Sequence, residues 1–217
     1  MKPRIVIGIP LATPLIYWQV VSAVLELKRP LQSELMVFQG ALVDRARNYL
    51  IRKMLEHPIG ATHLFFLDAD ILPAPDTLTK LLKVNQPIVS GLYRKRTIPH
   101  ELMAFSKDKN GNYQPVLLEK KKKPLTVDVV GAGCLLIHRE VFEKMKPPWF
   151  TSEWQGFGNL SEDFSFCEKA RKKGFKIVVE TSVRPLHIEP LGVGTDPNGA
   201  VSYFPLGESP LGEPPLD

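Results

Sequence analysis

The stretch His63-Leu-Phe-Phe-Leu-Asp68-Ala-Asp70 constrains the chain most tightly. Four consecutive large apolar residues suit a strand buried on both faces, which requires a sheet with layers on either side. The run stops abruptly at two carboxylates two positions apart. Side chains at i and i+2 of an extended segment share a face, so both acids can enter one site. Adjacent carboxylates raise each other's pKa unless a cation or a donor network neutralises them. Such an oxygen-rich pair suits Mg²⁺ or Mn²⁺, with water and phosphate oxygens completing the shell. Capping of the next helix would account for one aspartate, not for both at the end of a buried strand.

The surrounding pattern agrees with a layered α/β chain. Ile5 to Ile9 predicts a first strand, Leu15 to Lys28 a helix, and Leu35 to Phe38 a second strand. Leu42, Ala46, Tyr49, Leu50 and Met54 recur at helical spacing, predicting an amphipathic helix from Leu42 to Glu56. Thr62 to Leu67 is the third strand, Pro75 opens a helix reaching Val84, and Pro87 to Leu92 is the fourth strand. This alternation is that of βαβ units in a mostly parallel sheet. The second half differs, with shorter strands over Leu102–Phe105, Tyr113–Leu118, Leu125–Val130 and Cys134–Ile137 and a turn at Asn110-Gly111. Helices over Arg139–Lys144 and Ser161–Lys173, the latter ended by Gly174, and a strand over Phe175–Val179 complete the domain. A ligand cleft is expected where the halves meet, beyond the carboxyl ends of the strands.

Composition narrows the function classes. The 217 residues suffice for one ordinary α/β domain, with 28 Lys+Arg against 23 Asp+Glu for a net charge of +5. That balance favours an anionic ligand without implying nucleic acid as a partner. Cys134 and Cys167 make no disulfide framework, which points to a reducing, cytoplasmic setting. Lys2 and Arg4 precede an apolar stretch, but Gly8, Pro10 and Pro14 interrupt it as they would no signal helix, and no run is long and apolar enough to span a bilayer. Between Glu189 and Asp217, 11 of 29 residues are Pro or Gly, with an echo of Pro-Leu-Gly-Glu at Pro205 and Pro210. That segment is read as a loop-rich arm.

The ordered motifs together resemble the GT-A fold glycosyltransferases, family 2-like. Leu67-Asp68-Ala-Asp70 is similar to their metal-binding motif, and Ile5-Val-Ile-Gly-Ile-Pro10 to their first strand, which lies against the nucleotide base. Asp44-Arg-Ala-Arg47-Asn48 resembles an Ala-Arg-Asn segment, Gly131-Ala-Gly133-Cys134 the Gly-rich acceptor-side segment, Ser161-Glu162-Asp163 the Glu-Asp helix, and Leu186-His187-Ile188 the late metal-ligand histidine. The likeness spans residues 4 to 190. It implies a three-layer sandwich with a mostly parallel central sheet and a mixed acceptor-side half over residues 1–190, followed by a Pro/Gly-rich tail over 191–217. A strand ending in Asp-x-Asp also opens haloacid dehalogenase-like phosphatases, but there the motif begins the domain, whereas two βα units precede it here.

The resemblance implies a metal-dependent transfer of sugar from a nucleoside-diphosphate sugar to a saccharide or other hydroxyl acceptor. Asp70, with Asp68 on the metal shell or the ribose, and His187 would hold Mn²⁺ or Mg²⁺, and Asp163, or failing it Glu162, would deprotonate the acceptor. Pro10, Asp44, Arg47, Asp68 and Gly133 would line the nucleotide-sugar site. Read from residues alone, Glu162 and Asp163 follow a plausible Ser161 N-cap, where acids contribute about 0.3–1 kcal/mol through the helix dipole without any catalysis. Arg45, Arg52 and Lys120–Lys123 read as solvated surface, and Arg94, Lys95 and Arg96 as a basic loop near the cleft that can assist with phosphate or an acidic acceptor. Trp149, Phe150, Trp154 and Phe157 fit either an acceptor-stacking surface or core anchors of a long loop. A binding module that keeps the fold and pocket without turnover is the reading from another class.

Overall fold

The computed structural model describes residues 2–96, 99–117, 124–155, 158–195 and 201–205. Lys120–Lys123, Phe157 and residues 206–217 of the tail lie outside them. The centre is a seven-stranded sheet in the order β2-β1-β3-β10-β5-β13-β8, formed by β1 (Ile5–Leu11), β2 (Ser33–Gln39), β3 (His63–Leu67), β5 (Ile88–Gly91), β8 (Leu125–Val127), β10 (Cys134–His138) and β13 (Ile177–Glu180). β1 runs parallel to β2 and β3, and β5 to β13, while β10 and β8 run antiparallel to their neighbours. The apolar run after Gly133 thus inserts between a parallel trio and a parallel pair. Leu64, Phe65, Phe66 and Leu67 are fully buried, as expected of a strand covered on both faces.

Two layers supply that cover. On one face α2 (Val43–Glu56) sets Leu50, Ile51 and Met54 among residues that include Val6, Leu64 and Phe66. On the other, α1 (Trp18–Glu26) and α3 (Thr77–Val84) place Val20, Val24, Leu78 and Leu81 over Ile5, Ile7 and Phe65. α1 is shorter than the Leu15–Lys28 expected. Its Tyr17 N-cap is extended, and the Lys28 amide donates to Pro75 O at 2.8 Å instead of extending the helix.

The second half carries β4 (Ile71–Leu72), β6 (Ala104–Lys107), β7 (Tyr113–Pro115), β9 (Val129–Val130), α4 (Arg139–Lys144), α5 (Glu162–Lys172) and β14 (Leu186–His187). The expected Leu125–Val130 strand divides at Asp128. β8 joins the main sheet through β13, whereas β9 joins β6 in a small sheet. Asp128 is held at the break by the Lys107 amide at 2.6 Å and by Arg171 Nη2 at 2.5 Å. Gly174, at φ 84, ends α5 as predicted, its amide donating to Arg171 O at 2.9 Å. Ser161 occupies the N-cap position but makes no capping hydrogen bond through its side chain.

Two hairpins correct the loops expected from composition. β11 (Glu153–Gln155) pairs with β12 (Gly158–Leu160), and β15 (Leu191–Thr195) with β16 (Val201–Pro205). In both, Gly-containing segments hid short antiparallel pairs. Among the described residues no helix is long and apolar enough to cross a membrane.

Candidate functional site

The end of β3 lies between two cavities. One, of about 660 Å³, is lined by Arg47, Asp68, Asp70, Tyr93, Asp163 and His187 among others, and also by Glu162. The other, of about 640 Å³, lies towards the end of β1, where Pro10, Thr13, Ile16 and Tyr17 line it with Asp68 and Asp70. Asp68, Asp70 and Arg96 border both. Both acids therefore face cavity space, as their spacing predicts.

Each acid has a different environment. The Arg47 side chain is 2% exposed, and its guanidinium lies 3.0 Å (Nη1) from Asp68 Oδ1, with Nη2 donating to Asp68 Oδ2 at 3.2 Å. Its Nε lies 3.7 Å from Glu162 Oε1 and 3.8 Å from Asp163 Oδ1. The guanidinium carbon also sits 5.3 Å from the Phe66 ring centre and 5.7 Å from that of Phe150. Burial opposes the charge on Arg47, but Asp68, Asp163 and Glu162 outweigh it and push its pKa further up. One buried cation thus serves three carboxylates. Arg47 Nε and Nη1, Asp68 Oδ1 and Asp163 Oδ1 are buried without a hydrogen-bond partner in the protein.

Asp163 is raised to about 7, chiefly by burial and then by Glu162 and Asp68, against the pull of Arg47. Its Oδ2 accepts from the Ala132 amide at 3.1 Å. Asp70 is instead lowered, since His187 and Arg96 outweigh the burial that would raise it. Its Oδ2 lies 3.3 Å from His187 Nε2 and 3.2 Å from Arg96 Nη1. His187 Nδ1 stands 2.8 Å from the Arg94 carbonyl oxygen. A carbonyl can only accept, so Nδ1–H donates to it. Burial opposes a second proton, but Asp70 and the Arg94 carbonyl outweigh it and raise the His187 pKa, favouring a proton on Nε2 towards Asp70.

The acceptor-side glycines are explained by a residue that sequence reasoning missed. Tyr93, buried just beyond β5, accepts from the Gly133 amide at 2.9 Å through its hydroxyl oxygen, leaving the O–H free to donate. A Cβ on Gly131 would overlap that hydroxyl, and one on Gly133 would come within 2.9 Å of it and 3.0 Å of Asp68 Oδ2. Burial, aided by Asp163 and Asp68, raises the Tyr93 pKa well above its ordinary value, so it stays a neutral donor. Its only sequence signal was its position directly after an apolar strand.

The structure brings Arg47, Asp68, Asp70, Glu162, Asp163 and His187 to one cleft, sets Pro10 in the adjoining cavity, and backs Asp68 with Gly133, whose carbonyl accepts the Asp68 amide at 3.0 Å. Asp44 does not join them. Its Oδ1 accepts from the Arg45 amide at 2.6 Å, and its Oδ2 lies 3.5 Å from the Ser152 amide. Asn48 clamps the loop before α5, accepting from the Trp149 and Phe150 amides and donating to Phe150 O at 2.7 Å. Trp149 and Phe150 are buried, the former donating through Nε1 to Phe142 O at 3.0 Å and the latter stacked on Phe166. They are core anchors.

No protein-family model and no curated protein matches the chain. Solved structures do. The chain is similar to A197 from STIV, with a TM-score of 0.65 and 20% identity over 93% of this chain and 94% of that one. It is also similar to GalNAc-T7, solved with UDP, GalNAc and Mn²⁺, with a TM-score of 0.60 and 15% identity. The fold is GT-A-like. A further GT-A-like neighbour is S. aureus TarS 1-349 in complex with UDP-GlcNAc, at a TM-score of 0.51 and 11% identity. The match covers 86% of this chain in both cases, but 44% of the GalNAc-T7 chain and 59% of the TarS chain.

The chemistry of the donor set suits a divalent ion. Asp70 Oδ2 and His187 Nε2 converge, and the hydrogen bond at Nδ1 fixes the ring with its other nitrogen towards the acid. Asp68 adds a buried oxygen without a hydrogen bond. Among the described residues no group of three His, Cys, Asp or Glu side chains stands ready-made to hold a metal ion. The residues therefore fit an ion held by one or two carboxylates beside His187 and completed by phosphate and water.

Proposed function

We propose that the protein is a metal-dependent glycosyltransferase moving a sugar from a nucleoside-diphosphate sugar to a hydroxyl acceptor. The observation that carries this reading is the meeting, at one strand end, of the Asp70–His187 pair and the Arg47-centred carboxylates. GT-A-like neighbours solved with UDP, a sugar and Mn²⁺, or with UDP-GlcNAc, support it. Asp70 and His187, with Asp68, would hold Mn²⁺ or Mg²⁺, which when bound neutralises the charge developing on a departing diphosphate. The cavity containing Pro10 and Tyr17 would take the nucleoside.

The chain's own residues account for the proton. Asp163 Oδ1 is buried, without a hydrogen-bond partner, and on the cleft wall. It accepts the acceptor's hydroxyl proton as that oxygen bonds to the anomeric carbon. The bond from that carbon to the diphosphate oxygen breaks, and the electron pair leaves with the nucleotide. A pKa near the working pH suits such a base. Glu162 lies beside it, and Arg47 holds both in place. The buried free Cys134 and Cys167, with pKa values pushed up to about 12 by burial, accord with a reducing, cytoplasmic setting.

Incubation with a panel of nucleotide sugars and hydroxyl acceptors, with and without Mn²⁺, tests the reading. Mn²⁺-dependent transfer supports it, and its absence across the panel counts against it. One observation favours the second reading, a non-catalytic nucleotide-sugar-binding module. Arg47 and Arg96 already neutralise Asp68 and Asp70 without an added ion. Stabilisation by a nucleotide sugar with no product formed would select that reading.

A further inference from the structure

The described residues that follow Tyr93 are tied together by several backbone contacts. Lys95 N donates to Glu101 O at 2.9 Å, Met103 N to Tyr93 O at 2.9 Å, and Arg94 bridges to Leu102. His100 sits at φ 55, a left-handed conformation uncommon outside glycine. Its ring Nδ1 lies 3.2 Å from the Lys95 carbonyl oxygen, and its own carbonyl accepts from Arg94 Nη1 at 2.7 Å. These contacts hold residues 94–96 along a cavity of about 350 Å³, to which Arg184 and His187 contribute from another segment.

Four cationic side chains, Arg94, Lys95, Arg96 and Arg184, line this cavity against one carboxylate, Glu189. Two are neutralised, Lys95 by Glu101 at 2.9 Å and Arg96 by Asp70 at 3.2 Å. Among the described residues the other two bond backbone carbonyls, Arg94 that of His100 and Arg184 that of Thr181 at 3.0 Å. Among the described residues no carboxylate lies within ion-pair distance of Arg94 or Arg184. Planar guanidinium forks match the oxygens of phosphate and carboxylate. The cavity shares Tyr93, Lys95, Arg96 and His187 with the cleft that holds Asp163, but only Arg96 with the cavity at the end of β1. An occupant thus reaches the acceptor side more directly than the nucleoside side.

We propose that this cavity is an oxyanion subsite for the acceptor, whose phosphate or carboxylate group is bound by Arg94 and Arg184 while its hydroxyl lies in the cleft beside Asp163. The proposal rests on the glycosyltransferase reading and adds the substrate class: an anionic, hydroxyl-bearing acceptor.

Matched acceptor pairs test it: glycerol 3-phosphate against glycerol, and glucuronic acid against glucose. The wild type is expected to favour the anionic member by about ten-fold or more in kcat/KM, and the double variant Arg94→Gln, Arg184→Gln to bring that ratio close to one. The pair showing the larger ratio tells phosphate from carboxylate. Turnover without preference for either anion, or a preference that survives both substitutions, overturns the subsite and leaves the transferase reading intact. A second measurement needs no turnover. Inorganic phosphate, at ionic strength held constant with chloride, should raise the thermal midpoint of the wild type and not that of the double variant. No rise, or an equal rise in both, overturns the subsite even where no nucleotide sugar is turned over, a result that would itself count against the transferase reading.

Discussion

Arg47 Nη1 and Asp68 Oδ1 lie 3.0 Å apart, and this buried contact ties α2 to the end of β3. Glu162 and Asp163 approach the same guanidinium from the start of α5. Charges out of water are tolerated when paired, so one cation sets the spacing between the acid beside the proposed ion and the acids beside the proposed acceptor position. The site is assembled around Arg47 as much as around its carboxylates.

Replacing Arg47 with Met should therefore strand three carboxylates. We expect a loss of about 3–5 kcal/mol of stability, read by urea unfolding at neutral pH, with Arg47→Lys recovering part of it. A loss below about 1 kcal/mol would show that the cluster is solvated.

Asp163→Asn should lower the transfer rate by about 10²–10⁴-fold at saturating donor while nucleotide binding persists, and Glu162→Gln should cost less. The base must be ionised to act. Since burial raises Asp163 to about 7, the wild-type rate should climb as pH rises through that value. A flat profile across neutrality would remove Asp163 from the role.

Gly131→Ala places a Cβ against the Tyr93 hydroxyl and should cost about 1–3 kcal/mol. In a Tyr93→Phe background the obstructing oxygen is gone, so the same substitution should cost less. Additive losses in the double-mutant cycle would argue against this contact.

His63, on β3 opposite His138 of β10, is pushed down to about 4 by burial and by His138. A histidine with a depressed folded pKa binds fewer protons folded than unfolded. Its contribution is thus complete above its ordinary 6.5 and lost as pH falls through about 4, amounting to up to about 3 kcal/mol. Asp163, raised towards neutrality, acts with the opposite sign, its buried charge being relieved on acidification. Unfolding free energies of the wild type and His63→Gln compared between pH 4 and 7 separate the two. The wild type should lose ground relative to the variant as pH falls, and a constant difference would refute the assignment.

Much of the site was legible because local pattern carried it. Leu64 to Leu67 announced a doubly covered strand, and Asp68 and Asp70 announced what lies at its end. Arg47 was legible as a candidate, but its surroundings were not. A helix face shows three- and four-residue neighbours, whereas its partners Asp68, Glu162 and Asp163 arrive from other elements. Asp44, one turn earlier, belongs to the same polar face, yet its carboxylate meets local amides instead. Tyr93 was hidden for the same reason, since its role depends on contact with Gly131 and Gly133, some forty positions away. The division of Leu125–Val130 at Asp128 likewise follows from Lys107 and Arg171, distant in the chain.

Calorimetric titration of a nucleoside-diphosphate panel, with and without Mn²⁺, into the wild type and Asp70→Ala bears most directly on the proposed ion site. At least one diphosphate should bind the wild type about ten-fold or more tightly with Mn²⁺, and that gain should vanish in Asp70→Ala. Equal affinities with and without Mn²⁺ for every diphosphate, or a gain that persists in the variant, would contradict a cation held by Asp70 at the end of β3.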